Sequence, residues 1–342
     1  MLTEVLIVDA AAPDAAAIAR AARCLRQGGL VAFPTETVYG LGAHALDSHA
    51  VARIFEAKGR PVNDPLIVHV ADFEQIEALV SHIPATAPAL AARFWPGALT
   101  LVMPRSTAVP DVVTAGLPTV AVRVPSHPVA RALLAATRLP VAAPSANLFS
   151  RPSPTRASHV RDDLEGRVDI ILDGGPAHVG LESTVLDLSG DVPAVLRPGA
   201  ISLQALGDVL GDVRLWHTTR GAADSTAMRS PGLLSKHYAP RAPLTLYEGA
   251  PGVVEARMKA DATAATAAGR KVGVLDFGAE PDSTVVASRL FATLRELDAS
   301  GVDLILARGV PGLDGLGLAI QDRLRRAAAG RIVNVDSPRT GV

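Results

Sequence analysis

Cysteine is almost missing from this sequence: Cys24 stands alone among 342 residues, so no intrachain disulfide can form. A reducing, cytoplasmic setting fits such a chain. Ile18, Ala22 and Leu25 share helical spacing with Cys24, which reads as a small core residue rather than a reactive thiol. Aromatic residues are scarce at 4%, and the formal net charge is only −1. A dedicated nucleic-acid binder needs a basic face and stacking rings, so composition gives no strong signal for direct nucleic-acid contact. The N-terminal residues lack a positive segment followed by a long apolar run, and no apolar stretch approaches the roughly 18 residues of a membrane helix. Lysine is scarce too: of 33 basic residues only Lys58, Lys236, Lys259 and Lys271 are Lys.

Apolar residues are abundant at 49%, and the length suits two domains, each with its own core. Strand and helix patterns alternate through the first two hundred residues. Val5–Val8 and Leu30–Phe33 read as strands on either side of a helix from Asp14 to Gln27, stopped by Gly28 and Gly29. PTETVYGLG reads as a polar loop, and Ser48 as the N-cap of a helix running through Ala57. Further strands are expected at Leu66–Val70, Leu99–Met103, Thr119–Val124, Val141–Ala143, Ile170–Leu172, Thr184–Leu188 and Ala194–Leu196, with a helix near Val129–Thr137. Their tight spacing predicts a twisted mixed sheet with helices rather than a regular βαβ series. Periodicity fails over 214–242, which predicts a linker or functional segment. Strands at Leu244–Tyr247, Val272–Phe277 and Leu304–Ala307, separated by helices, predict a smaller Rossmann-like parallel α/β domain over 243–342. The expected organisation is a catalytic domain over 1–213, a linker or lid over 214–242, and that C-terminal domain.

The residues with most chemistry lie between Pro34 and His69. Thr35, Glu36 and Thr37 follow a buried strand, where ligands of open α/β sheets tend to sit. Gly40 and Gly42 let backbone approach a ligand. Lys58 and Arg60 close a helix, where cations suit the dipole; a Lys point charge beside an Arg fork also suits phosphate. Arg123 lies in an apolar strand and needs an anionic partner, either a structural acid or a substrate carboxylate. Pro144-Ser145-Ala146-Asn147, with Ser153 beyond, suits plain turn chemistry first and phosphate or nucleotide contact as the alternative. His69, inside LIVHV, reads as a core histidine. No histidine or cysteine spacing suggests a metal site made by side chains.

Taken together, PTETVYGLG, KGRP, PLIVHV, TVAVRVP, PSAN, ESTVLDL and LRPGAI resemble the YrdC-type threonylcarbamoyl-AMP synthase family. SPGLLSKHYAP and the C-terminal domain resemble its long, two-domain version. The resemblance implies that L-threonine, bicarbonate or CO2, and ATP give threonylcarbamoyl-AMP and pyrophosphate, with Mg2+ accompanying the ATP phosphates. It implies that the product passes to a tRNA-modifying transferase complex. It places threonine against Thr37, His69, Arg123, the Ala143 backbone and Ser183. It places ATP against Lys58, Arg60, Asp64, Thr119, Ser145, Asn147, Ser153, Arg197 and Tyr238, with Lys58, Arg60, Ser145 and Asn147 nearest the chemistry. Glu36 stays open between general base and structural hydrogen-bond partner. One rival is an RNA-binding or ribosome-associated factor gripping backbone through the same cleft. Another is a carbamoyl-transfer enzyme of hydrogenase maturation, which should carry zinc-finger and acylphosphatase-like regions that this chain lacks.

Overall fold

A computed structural model describes residues 2–216, 237–279, 281–310 and 315–336. Most of the expected linker, 217–236 with Lys236, therefore lies outside the described residues. The chain divides into two compact units, Met1–Phe149 with Ser153–Leu233, and Ser150–Pro152 with Leu234–Val342.

In the first unit the strands are β1 (Glu4–Ile7), β2 (Val31–Pro34), β3 (Tyr39–His44), β4 (Ile67–His69), β5 (Leu99–Pro104), β6 (Thr119–Arg123), β7 (Val141–Ala142), β8 (Ile170–Asp173), β9 (Thr184–Asp187), β10 (Ala194–Arg197) and β11 (Arg214–Leu215). The helices are α1 (Ala15–Arg26), α2 (Ser48–Lys58), α3 (Ala87–Phe94), α4 (Asp111–Thr114), α5 (Pro128–Thr137), α6 (Ala157–Leu164) and α7 (Leu203–Leu210). The strands form one sheet in the order β1-β8-β2-β3-β7-β4-β6-β5-β9-β10-β11, with parallel and antiparallel neighbours intermixed, as the strand spacing predicts.

Three local expectations need correction. Tyr39–His44 is a strand paired with β2, so the loop in PTETVYGLG shrinks to a hairpin turn. The N-cap of α2 is Asp47, whose carboxylate accepts from the amides of His49 and Ala50. A charged acceptor suits the positive end of a helix better than the neighbouring Ser48 hydroxyl. Gly42 makes room for protein: a Cβ there would press to 2.8 Å from Val141 and 2.9 Å from Phe33. The elements α4, α6, α7 and β11 were not anticipated from the sequence; α4 and β11 are only four and two residues long, too short for a repeat to show.

Strand alternation divides the sheet's contacts. One core gathers Leu41, Val68, Leu101, Val122 and Leu186 with Ile54 of α2, Leu90 of α3 and Val160 of α6. On the other face, Phe33, Val141 and Leu172 meet Ile18, Ala22 and Leu25 of α1 and Leu133 of α5, with half-buried Cys24 at the margin. Further along that second face lies only a small apolar patch: Ile67, Val102, Ala121, Val185 and Leu196. Arg123 and Thr119 share the face of Ala121, and His69 that of Ile67, because each pair is separated by an even number of residues. The polar side chains of interest therefore stand around this patch.

The second unit contains β12 (Leu244–Glu248), α8 (Pro251–Ala267), β13 (Val272–Leu275), α9 (Ser283–Ala299), β14 (Leu304–Arg308), α10 (Gly315–Ala328) and β15 (Ile332–Asn334). Its described strands are all parallel, in the order β13-β14-β12-β15. The right-handed rule for parallel crossovers puts α8 on one face and α9 and α10 on the other. Tyr247 and Leu306 pack with Val254 and Met258 of α8, while α9 and α10 pack on each other.

Candidate active site

Arg123 and His69 are register partners on the adjacent parallel strands β6 and β4, so their side chains rise together. Every edge of the Arg123 fork is engaged. Nε donates to the Gly97 carbonyl (3.1 Å), Nη1 donates to Thr37 Oγ1 (3.0 Å), and Nη2 lies 2.8 Å from Glu36 Oε1. Glu36 Oε2 accepts from the Ser126 amide at 3.1 Å. The contact with Thr37 is not local to the sheet. Three strand spacings, about 14 Å, separate β3 from β6, so the sheet must twist and the 35–38 turn fold over it to bring them together.

The proton order at Thr37 follows from its neighbours. Thr35 Oγ1 lies 2.6 Å from the Val38 carbonyl, which can only accept, so the Thr35 proton goes there. The 2.7 Å contact between the two hydroxyls then requires Thr37 to donate to Thr35. With Arg123 donating into Thr37, that hydroxyl has only acceptor capacity left for a ligand. The Ala143 amide is likewise committed, to the Ile67 carbonyl at 2.9 Å, so its free backbone group is the carbonyl.

Charge states are set by this packing. Burial pushes the Glu36 carboxyl upward, but the Arg123 charge, their hydrogen bond and the Ser126 amide outweigh it and hold Glu36 below the usual range. Glu36 is therefore an ionised anchor for Arg123 and a weak base. His69 is driven down to about 3, by burial first and by the Arg123 charge second, and so is neutral. It is 3% exposed, and its Nδ1 has no hydrogen-bond partner among the described residues.

A second group surrounds the end of α2, which Gly59 terminates in the left-handed conformation. Lys58 is 2% exposed, and its Nζ donates to the carbonyls of Ser145 and Asn147, both at 2.6 Å. The lysine thus shapes the Pro144–Asn147 turn by its backbone, a role the sequence does not reveal. Arg60 donates to the carbonyls of Asp64 (3.2 Å) and Pro65 (2.8 Å) and pairs with Asp64 Oδ2 at 3.0 Å. Asp64 is completely buried in that pair.

A third group lies at the start of β9. Ser183 shares a 2.7 Å hydrogen bond with Thr100, and Arg197 grips the Ser183 carbonyl through Nε and Nη2, at 3.2 and 3.1 Å. Arg197 Nη2 also donates to the Ser183 hydroxyl at 3.2 Å. Ser153, fully buried, donates to Glu182. Thr119 stands at the other end of β6 from Arg123, about 13 Å away along the strand, on the same face. Tyr238 belongs to the second unit, where its buried ring stacks on Phe291 at 5.3 Å beneath the Arg323 guanidinium.

Thr35, Thr100 and Glu182 orient Thr37, Ser183 and Ser153 respectively. Thr35 and Glu182 lie within motifs that the sequence singles out, without a role assigned there; Thr100, inside an apolar strand, gave no signal. Among the described residues no group of three His, Cys, Asp or Glu side chains converges as a metal site, and no helix is long and apolar enough to cross a membrane.

A mixed sheet bearing a buried cation–hydroxyl cluster beside a lysine-organised turn makes this an α/β protein with a polar candidate site on one sheet face. Comparison with known proteins is more specific. The Sua5/YciO/YrdC family, described as "Telomere recombination", matches residues 23–199, and the "Threonylcarbamoyl-AMP synthase, C-terminal domain" family matches residues 201–329. The threonylcarbamoyl-AMP synthase of Pyrococcus abyssi is 48% identical, over 92% of this chain and 95% of its own length. That of Bacillus subtilis is 46% identical, over 92% and 94%. The crystal structure of P. abyssi Sua5 complexed with L-threonine superposes with a TM-score of 0.91, at 45% identity over 98% of this chain and 99% of that one. The chain belongs to the two-domain threonylcarbamoyl-AMP synthase family, a family of ATP-using enzymes.

Proposed function

We propose that this chain condenses L-threonine, bicarbonate or CO2, and ATP into threonylcarbamoyl-AMP and pyrophosphate. The observation carrying this reading is the buried Arg123–Thr37 cluster beside neutral His69, in a chain similar throughout to an enzyme crystallised with L-threonine. Threonine's amine and bicarbonate form a carbamate with loss of one water. A carbamate oxygen attacks the α-phosphorus of ATP, one P–O bond forms, and the bond to pyrophosphate breaks. Such transfer depends on positioning and charge stabilisation rather than on a nucleophilic side chain.

In this assignment Arg123 meets the threonine carboxylate, sharing its charge with Glu36. Thr37 Oγ1 and the Ala143 carbonyl, both acceptors, suit the substrate's N–H groups, and His69 and Ser183 complete the threonine side. Lys58, Arg60, Thr119, Ser145, Asn147, Ser153 and Arg197 serve ATP, with Lys58, Arg60, Ser145 and Asn147 nearest the reacting phosphate. Asp64 acts by orienting Arg60. Mg2+ enters with ATP as part of the substrate, since the nearby acids Glu36 and Asp64 already hold arginines. The 1–213 region supplies catalysis, 214–242 is the linker or lid segment, and 243–342 is the C-terminal domain of a cytoplasmic enzyme. Its product passes to a transferase complex that modifies tRNA.

The test is pyrophosphate release from ATP, with threonine and bicarbonate omitted in turn. Release should require both. Release indifferent to threonine overturns the reading.

A further inference from the structure

Three of the threonine-side residues fall in one row on the sheet, and a fourth residue completes it. His69 of β4 and Arg123 of β6 are register partners. Val102 of β5 is the partner of Ala121 of β6, and those two strands are antiparallel. Two residues further along that pair, Thr100 comes opposite Arg123 on the same face. Thr100 is also the partner of Val185 in the parallel strand β9. Ser183, two residues before Val185 and just ahead of β9, shares that face. His69, Arg123, Thr100 and Ser183 thus cross four neighbouring strands, β4-β6-β5-β9. Thr100 alone among them has been given no part in the reaction.

Its hydroxyl is out of place by the logic of the strand. Leu99, Leu101, Val102 and Met103 are all apolar and buried, and Thr100 is 0% exposed. Valine has the same shape, and a buried hydroxyl is costly unless it is hydrogen-bonded. Among the described residues Thr100 Oγ1 bonds to one group, Ser183 Oγ, at 2.7 Å.

Counting protons gives the direction of that bond in the occupied site. A hydroxyl has one proton and two lone pairs. Arg197 Nη2 lies 3.2 Å from Ser183 Oγ and can only donate, so one lone pair of Ser183 is taken. If Ser183 donated to Thr100, the Thr100 proton would be stranded within an apolar strand. If Thr100 donates to Ser183, both lone pairs of Ser183 are filled, and the proton left over is Ser183's own. A substrate oxygen that accepts that proton satisfies the one group the protein does not, and so selects the second order. Ser183 then presents a donor, whereas Thr37, as shown above, presents an acceptor.

We infer that Thr100 is a positioning residue for the threonine side of the site. By donating to Ser183 it turns the Ser183 proton toward an acceptor oxygen of the substrate. The inference rests on the proposed function, in which Ser183 meets threonine.

Steady-state pyrophosphate release by the full-length chain tests it, with threonine and ATP varied in turn. Thr100→Val keeps the shape and removes the donor. It should raise the threonine KM about threefold or more and leave the ATP KM within about twofold. Thr100→Ser, which keeps the hydroxyl, should restore the threonine KM. In a Ser183→Ala background Thr100→Val should have no further effect on that KM, because the group it acts through is gone. Thr100→Ala replaces the valine variant in every arm if the latter does not fold. An unchanged or lower threonine KM in Thr100→Val overturns the inference, since the Ser183 proton would then have been spent on Thr100. Equal rises for both substrates, or a further rise in the Ser183→Ala background, also overturn it and leave Thr100 a structural residue. Release by wild type that ignores threonine is a different failure: it removes the proposed function, and this inference with it.

Discussion

Glu36 Oε1 lies 2.8 Å from Arg123 Nη2, and both side chains are buried. Removing one member of a buried ion pair leaves the other charge without compensation, at a cost of about 3 kcal/mol or more. Glu36→Gln should therefore lower stability by about that amount in denaturant unfolding. Because the folded Glu36 carboxyl is depressed, its contribution is complete above its ordinary value of 4.5 and is lost as pH falls through the lower folded value. The variant's stability should accordingly fall less steeply than wild type below pH 4.5. Matching acid profiles would show that Glu36 is not held low by Arg123.

Arg123→Ala separates substrate binding from architecture. It should raise the threonine KM by at least about tenfold while changing the ATP KM far less, since a charge-assisted hydrogen bond contributes about 1.5–3 kcal/mol. Equal losses for both substrates would remove Arg123 from the carboxylate. Glu36→Gln makes a useful comparison, because it disturbs the orientation of Arg123 and leaves its charge.

Much of the fold was legible in the sequence because apolar alternation and helix-ending glycines are local signals. Strands β5, β6 and β9 and helices α1 and α5 fall where their patterns predict. The hairpin at 35–44 was harder, since Gly40 and Gly42 look like loop residues until the pairing with β2 shows what fills their space. At the site, residue types announced Arg123 and Lys58, but their partners are encoded nonlocally. Glu36 is 87 residues from Arg123, and the Lys58 ammonium is satisfied by backbone carbonyls that no side-chain motif can signal.

Lys58 tests whether the Ser145–Asn147 turn is shaped by its ammonium. Lys58→Met keeps the apolar stem and strands two carbonyls, each costing about 1–3 kcal/mol if left unsatisfied. A loss of roughly 2–4 kcal/mol in thermal or denaturant unfolding should accompany the fall in pyrophosphate release. Lys58→Arg should recover little, because the larger planar guanidinium does not fit a buried site closed around one ammonium nitrogen 2.6 Å from both carbonyls. Full stability in Lys58→Met would confine the lysine to contact with substrate.

His69 gives the cleanest dependence on pH. Its folded value, about 3, is depressed from 6.5 because burial and the Arg123 charge oppose protonation. The unfolded chain then binds one more proton than the folded chain between those values, so this contribution to stability is complete above pH 6.5 and is lost as pH falls toward 3. The slope is about 1.4 kcal/mol per pH unit for one proton. His69→Phe removes the titration and keeps a ring beside Phe33, which meets the imidazole edge-on at 6.2 Å. The difference in unfolding free energy between wild type and His69→Phe should therefore change with that slope from pH 6.5 to 5, before most carboxylates begin to titrate. A difference independent of pH over that window would mean that His69 protonates in the folded protein, and that the pocket around it is wetter than its burial indicates.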